Sequence, residues 1–137
     1  IYYGSEWGIE GKKEGGNDDP FRPALDLAEM EGKYKDCQLT GHIKMLGRLK
    51  KELSPLSEGK YRELLLTNRQ YAFARIQDDK AVIVAVNNDE NPAHVSIPVP
   101  AGGNAVNAVT GEPVNVENGR INAELSPAGS LIVSVNI

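Results

Sequence analysis

QYAFARIQDDKAVIVAVN, residues 70–87, decides the fold. In its first half, Tyr71, Phe73 and Arg75 alternate with Ala72, Ala74 and Ile76, the two-residue period of a strand with unlike faces. In its second half, Ala81 to Val86 is apolar at every position, which predicts a central strand covered on both sides. Between the halves, Gln77-Asp78-Asp79 is a turn signal. The stretch therefore reads as a hairpin, with Phe73 expected in the core.

The same pattern continues on either side, and residues 59–137 read as strand throughout. The candidates are 60–67, 70–77, 80–87, 93–98, 105–109, 113–116, 120–125 and 130–136. Short alternating runs separated by regular turn signals describe a β-sandwich or barrel. Asn118-Gly119 lies between two such runs and predicts a two-residue hairpin turn, because both turn residues need positive φ.

Upstream the period changes. Leu39, Ile43, Leu46, Leu49 and Leu53 recur at helical spacing and predict a helix over 39–53 with one apolar face, expected to be core. Lys44, Arg48, Lys50 and Lys51 crowd its C-terminal half, where the helix dipole favours cations. Ser54-Pro55 ends it, and Asp36 and Thr40 are candidate caps. Before it, Ile1-Tyr2-Tyr3 predicts a strand over 1–4, followed by a loop over 5–38. The segment 4–23, GSEWGIEGKKEGGNDDPFRP, holds five glycines and two prolines, which sustain neither a helix nor a strand interior. Its Trp7 and Phe21 argue against simple disorder. The chain opens at Ile1 inside a strand-like run and reads as an internal piece of a longer protein.

Charge and composition remove several function classes. Residues 1–36 carry nine acids and five bases, net −4, whereas residues 37–137 carry ten of each. With no basic patch, nucleic acid is not an expected partner. No apolar run approaches the ~20 residues of a membrane span, so no membrane partner is expected either. Cys37 is the single cysteine, and His42 and His94 lack the spacing of a zinc motif, so no metal and no cofactor are expected. Glu6 with Glu10, or Asp18 with Asp19, are nominal carboxylate pairs. Catalysis by a carboxylate pair needs the two groups held rigidly together in unlike environments. A Gly-rich loop gives neither the rigidity nor the burial for that, and no catalytic residue is expected in this chain.

An ordered set of motifs resembles the α-amylase family, glycoside hydrolase family 13. IYYGSEWG (1–8) is similar to the YYGDE-x-G end of that family's eighth barrel strand, with Ser5 where Asp is usual. GGNDDPFRP (15–23) resembles the following loop of the neopullulanase and cyclomaltodextrinase subgroup, GNDPDxRRPM, with Pro23 where a second Arg is usual. LGRLKKELSPLSEG (46–59) is similar to the end of the eighth barrel helix. The remaining strands resemble the family's C-terminal domain in order.

The resemblance implies a mainly β chain. An eight-stranded antiparallel Greek-key β-sandwich (59–137) follows the last strand (1–4), loop (5–38) and helix (39–53) of a (β/α)8 catalytic barrel (1–58). It implies that the three catalytic carboxylates lie in a missing barrel, which would be the chain's partner, and that the full-length enzyme takes an α-glucan substrate. In the subgroup, the Asp and Arg at the matching positions contact glucose residues. This makes Asp18 and Arg22 substrate-binding candidates, with Trp7 as an aromatic plane for a sugar ring. The structural alternative for Arg22 is an ion pair with Asp18 or Asp19 that folds the loop. Two rival functions stay open: a non-catalytic carbohydrate-binding module, for which Tyr61, Tyr71 and Phe73 are the aromatics available in the sandwich, and a transferase of the same family.

Overall fold

The hairpin read at 70–87 lies within the larger sheet, with its apolar second strand at an inner position. The computed structural model describes residues 2–13, 15–100 and 103–137. Its contacts divide the chain into two units, Ile1–Arg48 and Leu49–Ile137. The sequence placed the boundary at 58/59. The earlier division arises because the end of the long helix, and the short one after it, pack with the strands that follow.

In the second unit, β1 (Lys60–Leu66), β2 (Gln70–Gln77), β3 (Lys80–Asn87) and β8 (Ser130–Asn136) are neighbours in a six-stranded antiparallel sheet. β5 (Ala105–Asn107) and β6 (Pro113–Val114) complete it, in the order β1-β2-β3-β8-β5-β6. β4 (Ala93–Pro98) and β7 (Arg120–Leu125) form a separate two-stranded antiparallel sheet. Five of the eight strands keep both expected ends and β1 loses one residue. β5 stops two residues short at 107, where the turn toward β6 begins, and β6 stops two residues short at 114.

The sheets pack face to face by their alternate residues. Ala72, Ala74, Ala81, Ile83, Ala85, Val133 and Val135 from the larger sheet meet Val95, Ile97, Ile121 and Leu125 from the smaller. Phe73 is not among them. The alanines of β2 take the core side, and Phe73 lies half-buried on the outer face with Tyr71 and Arg75. Large side chains at 73 and small ones at 72 and 74 fix which face looks inward, since the opposing Ile97 and Ile121 already fill that layer. β3 is central, between β2 and β8, but its outer side is covered unevenly. Val82 is 1% exposed and Val86 is 37% exposed.

The Asn118-Gly119 turn forms with φ of 52° and 72°. Glu117 and Arg120 exchange both backbone hydrogen bonds at 2.9 Å across it. The hairpin goes no further, because β6 pairs with β5 and β7 pairs with β4. The turn thus passes the chain from one sheet to the other.

One buried polar side chain ties this unit together. Asn87 is 2% exposed. Its Nδ2 donates to the carbonyls of Asn91 at 2.9 Å, Ser126 at 3.0 Å and, more weakly, Leu125 at 3.4 Å. Its Oδ1 accepts from Gln70 Nε2 at 2.8 Å. The end of β3 is thereby joined to the start of β2 and to the turn after β7.

Upstream of the strands, α2 spans Gln38–Glu52 and α3 spans Pro55–Glu58. α2 lies within one residue of its expected ends. Its apolar stripe is only partly core: Leu49 is buried, Leu53 is half-buried, and Leu39 and Leu46 are exposed. Neither expected cap is seen to act as one, and the Thr40 hydroxyl instead donates to the Glu6 carbonyl at 2.6 Å. α3 packs on β2 and β3, and an Arg75 guanidinium nitrogen donates to the Ser57 carbonyl at 3.5 Å.

The strand expected at 1–4 is absent among the described residues. Ile1 lies outside them, and Tyr2 to Gly4 lead through a turn into a 3₁₀ helix at Ser5–Trp7. A strand needs a ladder partner for its N–H and C=O groups, and no described segment pairs with this one. The loop expected at 5–38 contains α1, Leu27–Lys33. Asp26 starts it by accepting from the Glu29 N–H at 3.0 Å, and Met30 is its buried residue.

Two outcomes test this account of the second unit. Ile121→Ala, at a site 1% exposed, is expected to cost about 2–4 kcal/mol in urea unfolding. Asn87→Ala leaves two part-buried carbonyls and the buried Leu125 carbonyl without this donor and is expected to cost roughly 1–3 kcal/mol, with earlier hydrogen exchange at Gln70 and Ser126.

Candidate functional site

The glycine-rich segment is folded by close backbone approaches. A Cβ at position 11 would meet the Pro20 carbonyl oxygen at 2.5 Å and the Phe21 ring at 2.9 Å, so only glycine fits there. Asn17 Oδ1 accepts from the Asp19 N–H at 3.0 Å, and a 3₁₀ turn follows at Asp19–Phe21, with Pro20 inside its first turn. The Tyr3 hydroxyl donates to the Pro23 carbonyl at 3.3 Å, which links the start of the segment to its end. Tyr3, Gly11, Pro20, Phe21 and Pro23 also border one small cavity of about 180 Å³.

Asp18 and Arg22 flank that 3₁₀ turn and are both exposed. Asp18 Oδ1 pairs with Lys13 Nζ at 3.3 Å, both groups being more than half exposed, so the pair adds little stability. Arg22 closes the turn through its backbone N–H, bonded to the Asp19 carbonyl at 2.9 Å. Among the described residues its guanidinium forms no ion pair with Asp18 or Asp19. Its five donors face solvent on a turn whose backbone is fixed.

Trp7 is held elsewhere in the same unit. It ends the first 3₁₀ helix and stacks on Tyr34, with ring centroids 6.4 Å apart and planes at 26°. Lys33 Nζ stands 5.3 Å from the Tyr34 ring centroid. Trp7 and Tyr34 form one side of a cavity of about 700 Å³, with Tyr2, Tyr3 and Ile43 adding apolar surface. Glu6, Glu31, Lys35 and Lys44 place two acids and two bases at its edge. A concave surface of this size with aromatic walls and a few polar groups suits a small neutral ligand. Trp7 borders this cavity, whereas Asp18 and Arg22 sit on the separate exposed turn.

The sequence reading missed Tyr34. The signal was present in D-L-A-E at 26–29, where a capping Asp is followed three residues later by Glu. That pattern announces α1, and α1 carries the chain to Tyr34. No group of three or more His, Cys, Asp or Glu able to hold a metal occurs among the described residues. Cys37 keeps its thiol pKa below the ordinary value, through hydrogen bonds from the Thr40 backbone N–H first and then its hydroxyl.

The comparisons agree with this architecture. Residues 61–134 match the family described as Neopullulanase-like, C-terminal domain. Neopullulanase 2 of Thermoactinomyces vulgaris is 31% identical over 137 residues, covering 97% of this chain and 22% of its own length. The chain thus spans about a fifth of that relative. An Anoxybacillus α-amylase structure superposes with a TM-score of 0.80 at 21% identity, over 98% of this chain and 28% of the amylase. A cyclomaltodextrinase structure gives 0.80 at 23% identity, over 99% of this chain and 23% of that one. These structural likenesses show the fold. With more than half of its length matched by the family model, the chain belongs to the Neopullulanase-like, C-terminal domain family, and so to the α-amylase family.

Proposed function

We propose that the chain is the C-terminal part of a retaining glycoside hydrolase that cleaves α-glucosidic bonds in maltodextrin, starch or cyclodextrin. Residues 1–58 are read as the closing strand segment, loop and helix of a (β/α)8 catalytic barrel, and residues 59–137 as the structural domain that follows it. The observation that carries the reading is the 31% identity to neopullulanase 2, which runs across 97% of the chain and so includes the loop as well as the strands. Two structures of similar fold were solved with maltose or maltotriose, which fits a glucan as substrate.

In this reading the isolated chain is inactive, because Glu6, Glu10, Asp18 and Asp19, the described carboxylates of residues 4–23, stand on a turn-rich segment and only Glu6 is half-buried. None is set in the buried, unlike pair that retaining cleavage requires. Asp18 and Arg22 contact the substrate instead. An Arg that is not paired with Asp18 or Asp19 can give its N–H groups to neighbouring sugar hydroxyls, and the bonds around Asn17 and Asp19 spare the ordering cost. Trp7 presents an aromatic face for the apolar side of a pyranose ring.

Assays on pullulan, starch and cyclodextrin test the enzyme assignment. The full-length protein is expected to hydrolyse at least one with retention at the anomeric carbon, and inactivity on all three rules the assignment out. Arg22→Ala in that protein is expected to raise KM for maltodextrin about tenfold with kcat little changed, the pattern of a lost binding contact. An unaltered KM would remove Arg22 from the binding residues.

A further inference from the structure

The second unit holds an aromatic side chain that is both exposed and fixed in place. Tyr61 on β1 is 54% exposed. Its ring lies against Phe73, with centroids 5.8 Å apart and planes at 31°. Its hydroxyl bonds to that of Tyr71, and Tyr71 in turn packs on Phe73 at 5.9 Å. That bond, first among the causes, pushes the Tyr61 pKa up to about 12, so the hydroxyl stays neutral in ordinary conditions. A large surface ring normally loses rotamer freedom when it captures a ligand. Here much of that cost has already been met by folding.

Beside this ring lies a cavity of about 520 Å³, within the range of about 300–1,000 Å³ typical of small-molecule sites. Its polar lining is ordered: Gln77 Nε2 donates to Glu58 Oε2 at 2.8 Å, so an amide and a carboxylate stand side by side. Lys60, Arg62 and Asp78 complete the charged groups. Two acids and two bases cancel, which disfavours an anion or a cation and suits a neutral, hydroxyl-rich ligand. A pyranose has the matching chemistry, with a C–H face for the Tyr61 ring and adjacent hydroxyls for planar polar groups.

We propose that Tyr61, Glu58 and Gln77 form a binding site for an α-glucan chain, with the Tyr61 ring as stacking platform and the Glu58–Gln77 pair as hydroxyl-binding group. The choice of α-glucan over other neutral sugars rests on the function proposed above; the site itself rests on the geometry of the second unit.

The test is a titration of the 137-residue chain with maltoheptaose, followed by two-dimensional amide NMR, which also reports whether each variant is folded. Saturable shifts are expected at Tyr61, Gln77 and Glu58. Tyr61→Ala is expected to weaken binding about tenfold, the size of a lost aromatic contact. Tyr61→Phe keeps the ring and is expected to retain most of the affinity, and Gln77→Leu is expected to weaken binding without moving core resonances. No saturable shift, shifts confined to Trp7 and Tyr34, or an affinity unchanged in folded Tyr61→Ala would each overturn the site. The two proposals fail separately. Glucan hydrolysis by the full-length protein without binding at Tyr61 removes this site alone, and binding at Tyr61 without hydrolysis removes the enzyme assignment alone.

Discussion

How closely two sheets can approach is set by the smallest side chains between them. Here those are Ala72, Ala74, Ala81 and Ala85 on the inner face of β2 and β3. They leave room for Ile97 and Ile121 from a sheet only two strands wide. A pair of strands is marginal by itself, so β4 and β7 exist as a sheet only because their apolar faces are buried in this layer. The same choice sends the large side chains of β2 outward, and the aromatic cluster of Tyr61, Tyr71 and Phe73 is its direct result. Core packing and the chemistry of the outer face are therefore two sides of one alternation.

Most of the second unit was legible in its sequence, because strand period and turn chemistry are local signals. The eight runs, the apolar β3 and the Asn118-Gly119 turn could all be located residue by residue. The inward face was not legible. An alternation of aromatic and alanine names two faces without saying which is buried, and the usual preference for a buried Phe73 was overridden by the opposing isoleucines. The extent of the hairpin was also hidden: Asn-Gly dictates the turn, whereas partners far away in sequence decide how many residues continue the ladder.

The first unit was harder to read for a different reason. Its elements are short, and glycine and proline obscure any period. α1 announces itself only by Asp26 and Glu29. A strand at the start of the chain depends on partners that no described segment supplies. The apolar stripe of α2 predicted burial along its whole length, yet Leu39 and Leu46 are exposed while Leu49 is enclosed. A helical stripe says which residues can be covered, and the neighbours decide which ones are. Of the three substrate-binding candidates, Trp7 gained a cavity and a stacking partner, while Asp18 and Arg22 gained a fixed turn. The resemblance pointed to Asp18 and Arg22, and the chemistry of sugar stacking to Trp7, but their local geometry could come only from the fold.

The larger sheet ends at β1, where the pairing with β2 shifts register between Glu63 and Leu65. An open strand edge is a template for a further chain, and a flat one invites indefinite growth. The irregularity interrupts the row of unpaired N–H and C=O groups, and Lys60, Arg62 and Glu63 add charge along the same edge. A second copy approaching β1 would have to match a broken ladder and leave those charges facing its own. These features make β1 a poor template for an added strand, although an aromatic outer surface lies beside it.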